Sequence, residues 1–183
     1  MKNLIIKTGL LIFTTLLLIA CDNHPSLQKY YVVSKENNDF ISLDLPASIL
    51  ELKDTDASDE IKNTLESIKK VNFLALQATD SNQELYTSEK LKVNAILKNP
   101  KYKQLMKMSM GGGNVSVNYL GEEDAIDEVV IFGADKEKGF AVVRVIGANM
   151  NPSEIMKLAQ EIKMDGDSGE LKQLEGLLKG ISK

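Results

Sequence analysis

Residues Asp127–Ala134 and Phe140–Gly147 read as two strands joined by the five-residue turn Asp135-Lys136-Glu137-Lys138-Gly139. No other part of the chain limits the possible folds as strongly. All four turn residues before Gly139 are charged, and a glycine at the last position can take the positive φ that closes a short hairpin. Both strands are apolar on both faces. Val129 and Ile131 alternate with Val130 and Phe132, and Val143 and Val145 alternate with Val142 and Ile146. Antiparallel strands that pack on only one side alternate apolar with polar residues, whereas strands buried on both sides do not. The hairpin therefore belongs in the middle of a sheet, with a covering layer on each side.

The rest of the chain offers both cover and further strands. Ser26 is a suitable cap for a helix to about Lys35, with Leu27, Tyr30, Tyr31 and Ser34 at helical spacing, although Tyr30-Tyr31-Val32-Val33 would suit a strand as well. Phe40–Leu45 alternates as a half-buried strand, with Ile41, Leu43 and Leu45 on one side. Pro46 suits the first turn of a helix running to Leu52, and Lys53–Glu60 is a charged connection. Ile61, Leu65 and Ile68 form the stripe of a second helix, and Val71–Ala78 is a strand apolar on both faces. A long helix covers Glu84 to Lys98. Asn99-Pro100 then starts another helix, carrying Tyr102, Leu105 and Met106, which Gly111-Gly112-Gly113 stops. Val115, Val117 and Tyr119 alternate with Asn114, Ser116 and Asn118, as in an edge strand.

After the hairpin, Asn151-Pro152-Ser153-Glu154 combines an Asn cap, a first-turn proline and a capping glutamate, with Ile155, Leu158, Ala159 and Ile162 as the buried stripe. Asp165–Gly169 is a linker. A last amphipathic helix carries Leu171, Leu174, Leu177, Leu178 and Ile181, weakened by Gly176 and Gly180. Strands that do not strictly alternate with helices predict an α+β fold. We expect a single domain over residues 27–183, with a mostly antiparallel sheet of about five strands. The sheet ends in a three-strand meander, helices pack on it, and residues 164–183 form an appended amphipathic helix that, or else a partner, covers the second face.

The first twenty residues are of another kind. Lys2 and Lys7 make a basic start, Leu10–Ile19 is apolar apart from Thr14 and Thr15, and small Ala20 precedes Cys21, the only cysteine of the chain. This is the pattern of a secretory signal peptide, too short and wrongly flanked for a lasting transmembrane helix. With cysteine straight after the small residue, it resembles the lipobox of bacterial lipoproteins. That resemblance implies cleavage before Cys21, acylation of its thiol and new amine, and a lipidated tether over residues 21–26. Two or three acyl chains anchor stably, where one holds only marginally. The expected location is the bacterial cell envelope, on the outer or inner membrane and facing the periplasm. Asp22 does not decide between the two membranes.

Charge narrows the partners. The 183 residues carry 22 Lys+Arg and 26 Asp+Glu, net −4, and losing the two leader lysines moves this to −6. An acidic chain with one arginine and no tryptophan is poorly suited to nucleic acid, and no basic block marks a lipid headgroup site.

The usual apparatus of catalysis is missing. His24, the only histidine, sits in the tether, so a histidine triad or a multi-imidazole zinc site is excluded. Acylation removes the Cys21 thiol, and no Gly-x-Ser-x-Gly elbow or supported Ser-x-x-Lys remains. Gly111–Gly113 lies between helix and strand, the reverse of a phosphate loop, and no Gly-Lys-Ser/Thr follows. Counted from Asp165, an EF-hand would need glycine at position six and glutamate at twelve, where the chain has Glu170 and Gly176. Met106, Met108 and Met110 are soft ligands of the kind that hold Cu(I), but a helix would turn Met108 away from the other two. Core packing is the better reading, and no metal or cofactor is expected. Arg144, the sole arginine, lies in an apolar strand. It either pairs with a carboxylate such as Asp44 or Glu128 or marks an anion site, and local neutralisation is required in both cases.

Three segments carry a wider resemblance: Asp39-Phe40-Ile41-Ser42-Leu43-Asp44-Leu45-Pro46, Tyr102–Met106 running into Gly112-Gly113-Asn114-Val115, and the doubled strand ending in Gly147-Ala148-Asn149 with a helix directly after it. Together they resemble the small Bacteroidota-type lipoproteins grouped as domain of unknown function 4252, over about Leu27 to Leu158. The resemblance implies fold and location, brings no catalytic residue, and implies envelope signalling through members encoded near extracytoplasmic sigma factors. The expected function is thus a non-enzymatic, lipid-anchored protein-interaction module with an unidentified envelope partner, which predicts an exposed apolar patch. The alternative, a small-molecule or lipid carrier, predicts an enclosed apolar cavity.

Overall fold

The structure, a computed structural model, describes residues 25–52, 58–110 and 113–163. Its centre is a six-stranded antiparallel sheet. In chain order the strands are β1 (Phe40–Pro46), β3 (Ile68–Gln77), β4 (Lys103–Met110), β5 (Gly113–Glu122), β6 (Ala125–Asp135) and β7 (Gly139–Met150), and in space they run β1-β3-β7-β6-β5-β4. A separate two-stranded ladder joins β2 (Glu51–Leu52) to β8 (Ile162–Lys163). The α+β class therefore holds, with one strand more in the main sheet than expected and a four-strand meander from β4 to β7. The hairpin β6–β7 occupies the two middle positions, as its two-faced composition requires.

Helices α1 (Leu27–Ser34) and α3 (Gln83–Leu97) lie on the first face, and α2 (Asp59–Ser67) and α4 (Pro152–Glu161) on the second. Beneath α1 and α3, Leu27, Tyr31, Val93 and Ile96 pack on Leu74, Leu76, Val130, Phe132 and Val142. Phe140 is the hub of an aromatic cluster, with ring centroids 6.2 Å from Phe40, 6.2 Å from Tyr86 and 6.0 Å from Phe132. On the second face Ile61, Ile155 and Leu158 cover Val117, Tyr119 and Val129 at one end of the strands. Local chemistry fixes the helix starts. The Ser26 hydroxyl accepts from Lys29 N–H at 3.2 Å, Ser58 from Ile61 N–H at 3.4 Å, and Asn151 Oδ1 from Ser153 N–H at 2.9 Å.

The turn of the central hairpin is equally specified. Asp135 Oδ1 accepts from Glu137 N–H at 2.8 Å and Lys138 N–H at 3.0 Å. These two bonds hold the Asp135 carboxyl below the usual carboxylate range. Gly139 follows with φ 114°.

Three expectations are corrected. The helix expected after Asn99-Pro100 is instead a turn followed by strand β4. Asn99 Oδ1 accepts from Lys101 N–H at 3.0 Å, and Tyr102 N–H bonds Asn99 O at 2.9 Å, so the asparagine closes a turn and does not start a helix. β5 is consequently not an edge strand, because β4 pairs along its outer side. The helix expected from Pro46 to Leu52 is only a 3-10 turn at Ala47–Ile49, after which Glu51–Leu52 extends to pair with β8. That pairing also takes Ile162 out of the α4 stripe. The signal peptide, the tether through His24 and the final helix at 164–183 lie outside the described residues.

Candidate functional site

Two features of the first face carry polar chemistry, and both form around α1. The first is a band of polar residues crossing the sheet. The register places Asp44 beside Asn72, Asn72 beside Arg144, Arg144 beside Val130, Val130 beside Asn118, and Asn118 beside Gln104. Arg144 (3 % exposed) is the centre of this band. Its Nε and Nη2 donate to Glu128 Oε1 and Oε2, each at 2.8 Å, and Nη1 donates to Gln28 Oε1 of α1 at 2.8 Å. The guanidinium is thus neutralised by a two-point carboxylate contact and capped by the amide of the helix above it. Of the two carboxylates weighed from the sequence, Glu128 takes the arginine. Asp44 instead receives the Asn72 amide and the Tyr31 hydroxyl, the latter at 3.0 Å.

The electrostatics of the band act on its tyrosines. Burial, and then the hydrogen bond and charge of Asp44, push the Tyr31 hydroxyl well above the ordinary tyrosine range. Tyr102 is raised by burial and by the Glu128 charge. Nε, Nη1 and Nη2 of Arg144 each donate to an acceptor within the protein, and the band thereby joins α1 to the sheet. Asn72 and Gln28 carry no signal in the sequence and Tyr31 reads only as part of the α1 stripe, because only the folded register brings them to Arg144 and Asp44.

The second feature is a groove of about 400 Å³ between α1 and α3, lined by Pro25, Tyr30, Val33, Phe40, Ala95 and Ile96 with Lys29, Ser34, Glu89 and Lys92 at its polar margin. Val33, at the rim of this groove, is 63 % exposed. Buried Glu89 pairs with Lys92 at 2.6 Å. The Tyr30 hydroxyl is buried without a partner in hydrogen-bonding geometry, although Glu89 and Ser34 lie close enough to act on it electrostatically. Burial first and the Glu89 charge second keep that hydroxyl protonated far above the ordinary tyrosine range. The groove thus offers apolar walls with carboxylate and ammonium groups at its edge, a combination suited to holding a mixed side-chain surface.

The methionines behave differently from the helical expectation. In β4 the register sets Met106 opposite Val117, Met108 opposite Val115 and Met110 opposite Gly113, so the three positions share the second face of an edge strand. Met106 is half-buried against the Val117 and Tyr119 cluster. Among the described residues no group of three or more His, Cys, Asp or Glu is placed to hold a metal. No helix among them is long and apolar enough to cross a membrane. Cys21 and His24 lie outside the described residues.

Neither a curated protein nor a solved structure matches the chain. One family model does, over residues 30–158, which takes in the sheet, the polar band and most of the groove. The chain belongs to the family described as Domain of unknown function (DUF4252).

Proposed function

We propose that the protein is a lipid-anchored, non-enzymatic component of the bacterial cell envelope that binds a partner protein through the α1–α3 groove, in envelope signalling or stress response. The observation that carries this reading is the groove with Val33 at its rim. A β-branched apolar side chain left 63 % exposed at the rim of an apolar groove marks a surface suited to burial by another molecule. Position supports it as well. α1 begins six residues after Cys21, so an acylated Cys21 would keep the groove within about 20 Å of the bilayer. A partner fixed in or near the same membrane would meet it at high effective concentration. The alternative, a small-molecule or lipid carrier, asks for an enclosed apolar chamber. The groove between α1 and α3 opens to solvent, which suits side chains of a partner better than a sequestered ligand.

Crosslinking in intact cells with the full-length protein as bait tests the reading. A reproducible envelope protein should be captured, and Val33→Glu should abolish its capture while leaving the fold intact by circular dichroism. Capture that survives Val33→Glu would move the interface elsewhere. A lipid or metabolite co-purifying in place of a protein would favour the carrier.

A further inference from the structure

On the first face the sheet runs on past α3 through β5 and β4. There β5 presents Asn114, Ser116 and Asn118, and the register sets Lys107 of β4 beside Ser116 and Gln104 beside Asn118. From the helix side, Lys90, Asn94 and the C-cap Lys98 recur every fourth residue, so one stripe of α3 looks over these strands. Helix wall and strand floor form a cleft of about 290 Å³. Its charged lining residues are Lys90, Lys98 and Lys107, and among the described residues none of its lining side chains carries a carboxylate. In a chain of net charge −4 this gathering of one sign is unexpected. No run of basic residues announced it, because the three lysines come from α3, its cap and a strand beyond the next turn. Lys90 stands over the Tyr86 ring, 5.3 Å from its centroid, and feels the charge of Asp135, whose Oδ1 is already engaged by two turn amides. Lys98 and Lys107 are exposed and in no ion pair among the described residues.

We propose that this cleft binds a small anionic ligand rich in hydroxyl groups, a phosphorylated sugar being the class that matches both halves of its lining. Like charges gathered around a concave surface repel one another and focus a positive potential into it, and an anion relieves that repulsion. The Lys98 and Lys107 ammonium groups are compact, flexible donors of the kind that take phosphate oxygens. The side-chain amides of Asn94 and Gln104 both donate and accept, as sugar hydroxyls do. Leu97 and Phe132 add an apolar edge that suits the C–H face of a sugar ring. A volume close to the roughly 300 Å³ at which ligand pockets begin fits a small molecule better than the flat surface of a protein. The cleft and the α1–α3 groove lie on opposite flanks of α3, so this site stands or falls separately from the partner site. Phosphorylated sugars occur free and as the headgroups of glycolipids, and the test separates the two.

Calorimetric titration of the full-length protein in detergent micelles tests this, with glucose 6-phosphate, glucose, inorganic phosphate and lipid A as the probes. Saturable binding of glucose 6-phosphate, with none of glucose, is the result expected for a free ligand. Saturable binding of lipid A alone would assign the site to a glycolipid headgroup. In either case Lys98→Ala and Lys107→Ala should each weaken binding by about tenfold, the worth of one hydrogen bond to a charged group. Both side chains are exposed, so the thermal transition should not move. Should it move, Gln104→Glu, which is isosteric, exposed and brings a carboxylate to the cleft, should weaken binding in an otherwise intact chain. The proposal is overturned if neither phosphorylated probe binds saturably or if all three variants bind undiminished. Inorganic phosphate binding as tightly as glucose 6-phosphate would mean an adventitious ion only, and would overturn it too.

Discussion

Arg144 and Glu128 are diagonal neighbours on adjacent strands. The register sets Arg144 beside Val130 and Glu128 beside Ile146, and the two side chains reach across to form paired contacts of 2.8 Å. An irregularity between Ile126 and Glu128 shifts the register just before this point. Such a pair is costly to break from one side, because the remaining charge stays buried without compensation.

Arg144→Met should therefore cost about 3–5 kcal/mol, and Glu128→Leu alone a similar amount. The double variant should recover most of the loss, since an apolar replacement of comparable volume needs no partner. Urea unfolding of the three variants provides the measurement. A double variant as unstable as the worse single one would show that the band depends on Gln28 and α1 docking more than on the ion pair.

The central hairpin was legible because its information is local: two runs apolar on both faces and a charged turn ending in glycine admit few other placements. β4 was misread for a physical reason. Asn99-Pro100 satisfies the chemistry of a helix start and of a turn alike, and three methionines favour a helix by intrinsic propensity, a weak preference that pairing with β5 overrides. As an edge strand with Lys107 and Ser109 exposed, β4 also lacks the long apolar run that marks an inner one. Of the candidate site, Arg144 stood out as a lone charge in an apolar strand. Its partners did not, because choosing Glu128 over Asp44 depends on the register of β6 against β7, and Gln28 enters from a helix 116 residues away. The α1–α3 groove left no sequence signal, since Val33 reads as an ordinary helix residue until α3 is packed beside it.

Gly139 and Gly133 separate backbone need from available space. Gly139 has φ 114°, and a Cβ there would stand 2.1 Å from Leu76 O, so Gly139→Ala should cost at least about 1–3 kcal/mol. At Gly133 the nearest atom to a Cβ is Val115 Cγ2 at 3.8 Å, so Gly133→Ala should be neutral or stabilise by up to about 1 kcal/mol. Thermal unfolding of the two variants side by side checks both. Equal losses would mean that the space beside Gly133 is filled, since only Gly139 of the two has a positive φ.

Replacing Cys21 with serine tests the anchor separately from the fold. The variant should move from the membrane to the soluble fraction with its thermal transition unchanged, because Cys21 precedes α1 in the chain and would serve as the attachment point of the acyl chains. Continued membrane retention would point to a second anchor.

The three raised tyrosines set the alkaline limit of stability. Tyr30, Tyr31 and Tyr102 all lose protons less readily in the folded chain than the ordinary value of 10.0, chiefly through burial. Above pH 10 the unfolded chain therefore releases protons that the folded chain retains, and stability falls as pH rises. The contribution is complete below pH 10 and is lost progressively toward the higher folded values. Phenylalanine at position 31 should flatten this decline while costing stability at neutral pH, because the bond to Asp44 is removed. Phenylalanine at position 30 should flatten it with little neutral cost, or even a gain, since that hydroxyl is buried without a partner. Urea midpoints from pH 8 to pH 11 for the parent and the two variants give the slopes. A parent curve that stays level through pH 11 would place all three hydroxyls in contact with solvent.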